Sequence, residues 1–245
     1  MTAPNALQPT AALGERVLLP GDPGRALWLA ESLLEGAKMF NHNRGLWGYT
    51  GLAPDGEPLT IQSTGMGGPS AGIVIHELIE LGARRLLRVG TCGALNEGLA
   101  LGDLVVATEA IATDGTSRAL GGGDRVAASP DLLAAVIATA DAPGHRAHQG
   151  PIVTSDVFYD DRGLEAGWSA AGALAVEMEA ATLFTLADAR GVQAAALLVV
   201  SDIILPERVR IGQDDLRAAE QRMGRAALRA LTAGPVRRPA QASGA

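Results

Sequence analysis

Two arginines, Arg25 and Arg88, lie in sequence contexts that suit the binding of an anion. The segment Gly21–Arg25 (GDPGR) follows the apolar run Val17–Leu19 and precedes a helical pattern. Backbone N–H groups at a helix start, together with a guanidinium, suit an oxyanion. Arg88 lies inside the apolar run Leu86–Val89, where a buried arginine needs an anionic partner. A solvated arginine after an ordinary turn is the alternative for Arg25, and a structural ion pair is the alternative for Arg88.

Carboxylates follow two other apolar runs. Glu177-Met178-Glu179 comes after Leu174–Val176, and Ser201-Asp202 comes after Ala194–Val200. A carboxylate in the first segment can bind vicinal sugar hydroxyls, with the methionine packed beneath the sugar. The acidic first turn of a helix has the same composition, and spacing does not decide between the two. Asp202 can act as a general acid if burial keeps it protonated, although Ser-Asp pairs more often form caps or turns.

The glycine-rich segment Gly65–Ser70 (GMGGPS) partly matches two other motifs. Ser70 occupies the place of the third glycine of a dinucleotide-binding fingerprint. Gly68–Gly72 also fits the serine-hydrolase pattern G-x-S-x-G, which needs its serine directly after a strand. Ser70 lies five residues further on and is predicted to cap a helix instead. Because His145 or His148 could complete a triad, a serine hydrolase remains a distant alternative.

Apolar runs that alternate with helical patterns must position these groups. They predict a single α/β domain with a twisted, mixed and mostly parallel sheet flanked by helices. Ligands of such sheets bind beyond the carboxyl ends of the strands, which is where the polar segments fall. The predicted strands lie near 17–19, 45–51, 58–64, 85–89, 104–111, 151–153, 174–176 and 194–200. The predicted helices lie near 26–34, 70–81, 130–140, 162–171, 180–190 and 214–231.

Composition limits the classes of partner. Of 245 residues, 47% are hydrophobic and 19% charged, which is typical of a folded domain. The net charge of −7 leaves no basic surface for nucleic acid or anionic lipid. No apolar run is long enough to span a membrane. The single cysteine, Cys92, excludes an internal disulfide and favours the cytoplasm. The four histidines show no metal-ligand spacing, so no metal is expected. Residues 233–245 are predicted to form a flexible tail.

Seven segments in order resemble one family, the trimeric and hexameric nucleoside phosphorylases of the purine nucleoside and uridine phosphorylase group. The resemblance covers about residues 15–231 and implies one phosphorylase domain over residues 1–232. It also implies a hexamer, built as a trimer of dimers, and no cofactor other than inorganic phosphate as co-substrate. The matching segments are Leu19–Arg25, Arg44–Gly51, Ser63–Ser70, Arg88–Ala94, Ser155–Tyr159, Val176–Ala181 and Ser201-Asp202.

The resemblance assigns a role to each segment. Glu179 would bind the ribose hydroxyls, with Met178 beneath the sugar and Glu177 nearby. Asp202 would protonate a leaving purine at N7. The implied phosphate ligands are Gly21, Arg25, Arg88, Thr91 and an Arg44 donated by a neighbouring subunit. The implied base contacts are Cys92, Gly93, Phe158, Val176, Ser201 and Asp202.

Two positions depart from the family pattern. Many relatives place a histidine near the N-terminus to reach the ribose 5′-hydroxyl, whereas Asn5 stands here. Purine relatives also use an arginine at the start of the last helix to assist the aspartate. Arg217 is the predicted assistant, although it is about one residue out of alignment and Arg208 or Arg210 remain open.

A purine nucleoside substrate is favoured for two reasons. Uridine phosphorylases carry an insertion after the Phe-Tyr motif that the short span Asp160–Ala175 has no room for, and they lack an aspartate matching Asp202. An aspartate there favours both 6-oxo and 6-amino purines. Uridine or 5′-methylthioadenosine phosphorylase, a hydrolytic nucleosidase and a non-catalytic nucleoside-binding protein remain alternatives.

Overall fold

A large mixed sheet forms the centre of the protein. We describe a computed structural model for residues 4–141, 147–205 and 207–233. Within these residues eleven strands belong to one sheet. The strands are β1 Arg16–Leu19, β2 Glu35–Asn41, β3 Gly48–Leu52, β4 Pro58–Gln62, β5 Arg85–Ala94, β6 Leu104–Ala112, β7 Arg125–Ala127, β8 Ala147–Thr154, β9 Ala175–Glu177, β10 Gln193–Ile203 and β11 Val209–Arg210. The helices are α1 Pro23–Leu33, α2 Gly68–Leu81, α3 Gly115–Ala119, α4 Pro130–Ala140, α5 Glu165–Ala170, α6 Ala180–Arg190 and α7 Gln213–Thr232.

The long strand β5 changes neighbours along its length. Its first part, Arg85–Arg88, pairs in parallel with β1, and its last residues, Gly93 and Ala94, pair antiparallel with β9. On its other side β5 runs parallel to β10. Because β10, β6, β8 and β9 follow one another and β9 returns to β5, these five strands close into a ring. Between Arg88 and Gly93, β5 is paired with β10 on one side and has left β1 but not yet met β9 on the other, so the sheet has an opening there. The backbone and side chains at this opening are accessible to a ligand.

The remaining strands extend the sheet from β1. The strand β4 lies parallel to β1, and β2, β3 and β4 form an antiparallel meander. The helices pack in two groups, α2 with α3 and α6, and α7 with α1 and α4. Strand β10 is buried throughout from Ala194 to Val200, as a strand covered on both faces must be.

The predicted fold class is confirmed, and most predicted elements are present with shifted ends. Strand β2 was missed because five of its seven residues are exposed, so it has no apolar pattern. The prediction that Ser70 caps α2 is wrong. The helix begins at Gly68 after Gly67, whose φ of 84° favours glycine, and the Ser70 hydroxyl donates to the Thr64 carbonyl at 2.6 Å.

Two predictions fall partly or wholly on residues outside the described ranges. His145 lies outside them, and so does the predicted tail after Ala233. Among the helices of the described chain, none is long and apolar enough to cross a membrane.

The N-terminal segment is held by one carboxylate on α2. Glu77 accepts the backbone N–H groups of Asn5, Ala6 and Leu7 at 2.7–3.0 Å and is almost fully buried. The Asn43 amide, next to Arg44, donates to the Ala6 carbonyl at 3.0 Å. Glu77 thus holds the segment against the turn that carries Arg44.

We expect Glu77→Gln to lower the free energy of unfolding by about 1–3 kcal/mol, because buried N–H donors lose a charged acceptor. Urea denaturation measures this. Glu80→Gln is the matched control, since Glu80 lies on the same helix in an exposed ion pair with Arg190 and should leave stability nearly unchanged. Equal effects of the two variants would contradict a special role for Glu77.

Candidate active site

A cavity of about 650 Å³ opens where the sheet parts. It lies at the carboxyl ends of β1, β5, β9 and β10, as expected for ligand sites of α/β sheets. All predicted site residues line this cavity except Arg44 and Arg217. The structure thus brings together groups that are far apart in the sequence, among them Gly21, Arg88, Glu179 and Asp202.

Arg88 is buried at the parting of the sheet between two carboxylates. Its Nε donates to Glu177 Oε2 at 2.7 Å, and its Nη2 contacts Glu179 Oε2. Burial alone would lower the pKa of the guanidinium, but Glu179 and Glu177 outweigh it and raise that pKa above its ordinary value. The Nη1 atom is buried with no hydrogen-bond partner among the described residues. One end of a fixed cation is therefore left available to a further acceptor.

Glu179 joins three elements at the cavity wall. It precedes α6, and its Oε1 accepts the N–H of Gly67, at the start of α2, at 2.5 Å. Burial is the main cause that raises the pKa of Glu179; Arg88 opposes it, and Glu177 adds to it. Each carboxylate oxygen can still accept another hydrogen bond, so Glu179 can bind a hydroxyl on the cavity side.

Glu177 is engaged differently from what its predicted ribose contact requires. One oxygen accepts from Thr154 Oγ1 at 2.6 Å and from the Ala180 N–H at 2.9 Å. The other accepts from Arg88 and from the Glu179 N–H at 2.9 Å. With four donors and a side chain only 1% exposed, Glu177 orients Arg88 and the start of α6.

Gly21 and Arg25 line the same cavity as Arg88 and follow β1, whose last residue, Leu19, pairs with Arg88. Gly21 accepts the Gly65 N–H at 3.0 Å, which holds the turn after β1 against the turn after β4. The Asp22 carboxylate caps α1 by accepting the N–H of Arg25 at 2.6 Å. The Arg25 guanidinium is paired with Glu220 on α7, a partner that the sequence did not reveal.

Asp202 lies at a β-bulge. The pairing of β10 with β5 shifts between Val200 and Asp202, so Ser201 is the extra residue and Asp202 turns toward the cavity. Ser201 donates to Asp202 Oδ2 at 2.8 Å, and Arg210 Nε donates to Oδ1 at 3.0 Å. Strand β11 places Arg210 directly opposite Asp202.

The predicted partnership of Arg217 with Asp202 is not what the structure shows. The Arg217 guanidinium lies 4.8 Å from the centre of the Trp28 ring, between α7 and α1. Arg210, one of the two arginines that the sequence left open, contacts Asp202 instead, and Arg208 is further away, with Nε 3.9 Å from Asp202 Oδ1. The cause is local pairing, because the short hairpin of β10 and β11 places Arg210 opposite Asp202.

The opposite end of the cavity is apolar. Val176 and Ile204 pack over a small second hydrophobic cluster. A Cβ at Gly93 would stand 2.3 Å from Ile204 Cδ1, so a larger residue there would require the Ile204 side chain to move. Phe158 is 47% exposed at the rim, with the Arg208 guanidinium 5.4 Å from its ring centre. Such walls suit a flat aromatic ligand.

Thr91, Cys92 and Met178 complete the middle of the cavity. Burial, more than any charge, raises the pKa of the Cys92 thiol well above its ordinary range. The thiol is therefore protonated and serves as a packing group, not as a nucleophile. Ile204 and Trp168 also line the cavity and were not predicted, because nothing in their local sequence marks them.

Arg44 lies in a separate exposed turn. Among non-glycine residues of the described chain it alone has a positive φ, 57°. Such a conformation costs about 1–2 kcal/mol for an L-residue and is often kept for function.

Asn5, which stands where many relatives have a histidine, is bound through its backbone N–H to Glu77.

Comparisons with known proteins agree on one family. The model of the phosphorylase superfamily matches residues 15–233. A DeoD-type purine nucleoside phosphorylase of Geobacillus kaustophilus is 41% identical over 199 residues, 80% of this chain and 84% of that protein. The corresponding protein of Roseobacter denitrificans is 44% identical over 196 residues, 78% of this chain and 82% of that protein.

A solved structure extends the comparison to the fold. Uridine phosphorylase from Vibrio fischeri, complexed with 6-hydroxy-1-naphthoic acid, superposes with a TM-score of 0.80 at 30% identity, covering 89% of this chain and 90% of that one. Sequence and fold lead to the same conclusion: this chain belongs to the phosphorylase superfamily.

Proposed function

We propose that the protein cleaves purine nucleosides with inorganic phosphate, giving the free base and ribose 1-phosphate. The observation that carries this proposal is one cavity with oriented arginines at one end and an arginine-held aspartate at the other. The similarity to DeoD-type purine nucleoside phosphorylases supports the same reaction.

Phosphate binds at the arginine end. The Gly21 backbone, Arg25, Arg88 and Thr91 surround this part of the cavity. Breaking the glycosidic bond builds positive charge on the ribose, and a phosphate dianion fixed beneath C1′ stabilises that charge and then captures it. Glu179 binds the ribose hydroxyls above Met178, while Glu177 keeps Arg88 in place from behind.

The base binds at the apolar end. Phe158 stacks on it, and Cys92, Gly93, Val176 and Ser201 form the surrounding walls. Negative charge that develops on the base is met by Asp202, which delivers a proton to the purine N7. Arg210 orients Asp202 and takes the role expected of Arg217.

This scheme uses no metal and no organic cofactor, since positioning and electrostatic stabilisation supply the catalysis. A cytoplasmic location is part of the proposal, because the only cysteine, Cys92, is a buried free thiol.

The functional unit is proposed to be a hexamer, a trimer of dimers, in which Arg44 completes the phosphate site of a neighbouring subunit. Arg44 is exposed, has a strained backbone and lies outside the cavity of its own chain. These features suit a residue that acts on another copy.

Uridine phosphorolysis is the second candidate, because the solved structure with the same fold is a uridine phosphorylase. The aspartate with its arginine partner and the short segment around α5 favour purines over uridine.

Substrate class is tested by incubating the protein with inosine, guanosine, adenosine and uridine, each with and without phosphate, and measuring base release by chromatography. Release from the purine nucleosides only with phosphate is expected. Release from uridine alone would support the second candidate, and release without phosphate would support a nucleosidase.

We expect Asp202→Ala to reduce kcat for inosine by about 10²–10⁴-fold, the range of general acid–base catalysis, and to leave phosphate binding nearly unchanged. Arg210→Gln should also lower kcat, whereas Arg217→Gln should leave it within about twofold, since only Arg210 contacts the aspartate. A larger loss for Arg217→Gln than for Arg210→Gln would restore Arg217 as the assistant.

Sharing of Arg44 is tested by complementation. Arg44→Ala and Asp202→Ala are each expected to be nearly inactive. Co-expressed subunits that mix at random should recover about a quarter of wild-type activity, because half of the dimers then contain one complete site of two. Absence of recovery in verified mixed oligomers would show that Arg44 does not act across subunits.

A further inference from the structure

Arg25 has a carboxylate partner outside the phosphate end of the cavity. Its Nε and Nη2 both approach Glu220 Oε1, at 2.7 and 2.6 Å. The side chains are only 14% and 10% exposed, so water screens the pair little. Charge-assisted hydrogen bonds in such surroundings are strong and directional.

The pair repeats the arrangement around Arg88. In both arginines a carboxylate holds Nε, and a carboxylate also contacts Nη2. Neither Nη1 atom has a hydrogen-bond partner within the described part of the chain. Each guanidinium is thus fixed along one edge, while its other end is left for a ligand.

The contact between α1 and α7 keeps Glu220 in register with Arg25. Arg217, three residues before Glu220, lies over Trp28, three residues after Arg25. At Gly224 the two helices approach so closely that a Cβ would stand 2.6 Å from Leu29 Cδ2. The position of Glu220 is therefore set by packing and not by the ion pair alone.

We propose that Glu220 is a positioning residue for phosphate, fixing the guanidinium of Arg25 so that its remaining N–H groups point at the phosphate oxygens. The proposal rests on the proposed function, because it takes phosphate to be the ligand of Arg25. A free arginine side chain loses rotamer freedom when it binds an anion, and Glu220 imposes that order in advance.

Competition between Glu220 and phosphate for Arg25 is the opposite hypothesis. The geometry disfavours it, because Glu220 uses a single oxygen on the Nε–Nη2 edge. Phosphate can approach from the Nη1 end without displacing it.

The test compares Glu220→Gln and Glu220→Ala with the wild type in steady-state phosphorolysis of inosine. The KM for phosphate should rise about five- to tenfold for alanine and less for glutamine, which keeps an acceptor oxygen. The KM for inosine should stay unchanged. Calorimetric titration with inorganic phosphate alone should show a parallel loss of affinity.

Asp214→Asn, on the first turn of the same helix, is the matched control and should leave both KM values unchanged. In an Arg25→Gln background, Glu220→Gln should have no further effect on the KM for phosphate. A lower KM for phosphate in Glu220→Gln would establish competition and overturn the proposal. Equal changes in both KM values and in Tm would also overturn it, as a general loss of structure.

Failure of the proposed function would be seen separately. A wild type without phosphate-dependent base release would refute phosphorolysis, whereas the phosphate titration of the Glu220 variants would still decide whether Glu220 orients Arg25 for an anion.

Discussion

The rest of the site depends on the ion pairs that the buried guanidinium of Arg88 forms with Glu177 and Glu179. A charge in the interior of a sheet is stable only with close counter-charges, and removing one partner of such a group costs about 3–5 kcal/mol. Glu177 and Glu179 supply them and at the same time bind the N–H groups of Ala180 and Gly67. One ionic network therefore fixes β5, β9 and the starts of α2 and α6 at the edge of the cavity.

The topology explains why this network can exist there. Strand β5 leaves β1 after Arg88 and gains β9 at Gly93, so the residues between them are framed by β10 on one side only. In a continuous parallel sheet, a neighbouring strand would pair with these residues of β5 on both sides and leave no opening. The bulge at Ser201 then turns Asp202 into the same opening from β10. Two irregularities in neighbouring strands thus create the cavity and orient both of its ends.

The sequence predicted the fold class and the meeting of Arg88, Glu179 and Asp202 in one cavity, because polar groups that follow buried apolar runs must meet at one sheet edge. It failed where tertiary pairing decides. Glu220 lies 195 residues from Arg25 on a helix face that local patterning describes only as polar. Arg210 reaches Asp202 through a two-residue strand too short to carry any periodic signal. Glu177 looks like its neighbour Glu179 in sequence, and only its four donors distinguish it.

Under the proposed function, this site offers a phosphate dianion oriented donors and not a net positive charge. The chain carries a net charge of −7, and Arg25 and Arg88 are each matched by at least one carboxylate. Long-range attraction of an anion is therefore weak. At short range, the fixed N–H groups of two held guanidinium groups and a glycine turn stabilise charge without reorganisation, and a shielded cavity strengthens each contact. The carboxylates of Glu177, Glu179 and Glu220 lower the net charge of the site, but they also hold the guanidinium groups in place. Removing them would increase the attraction of an anion and at the same time lose the fixed orientation of the N–H donors.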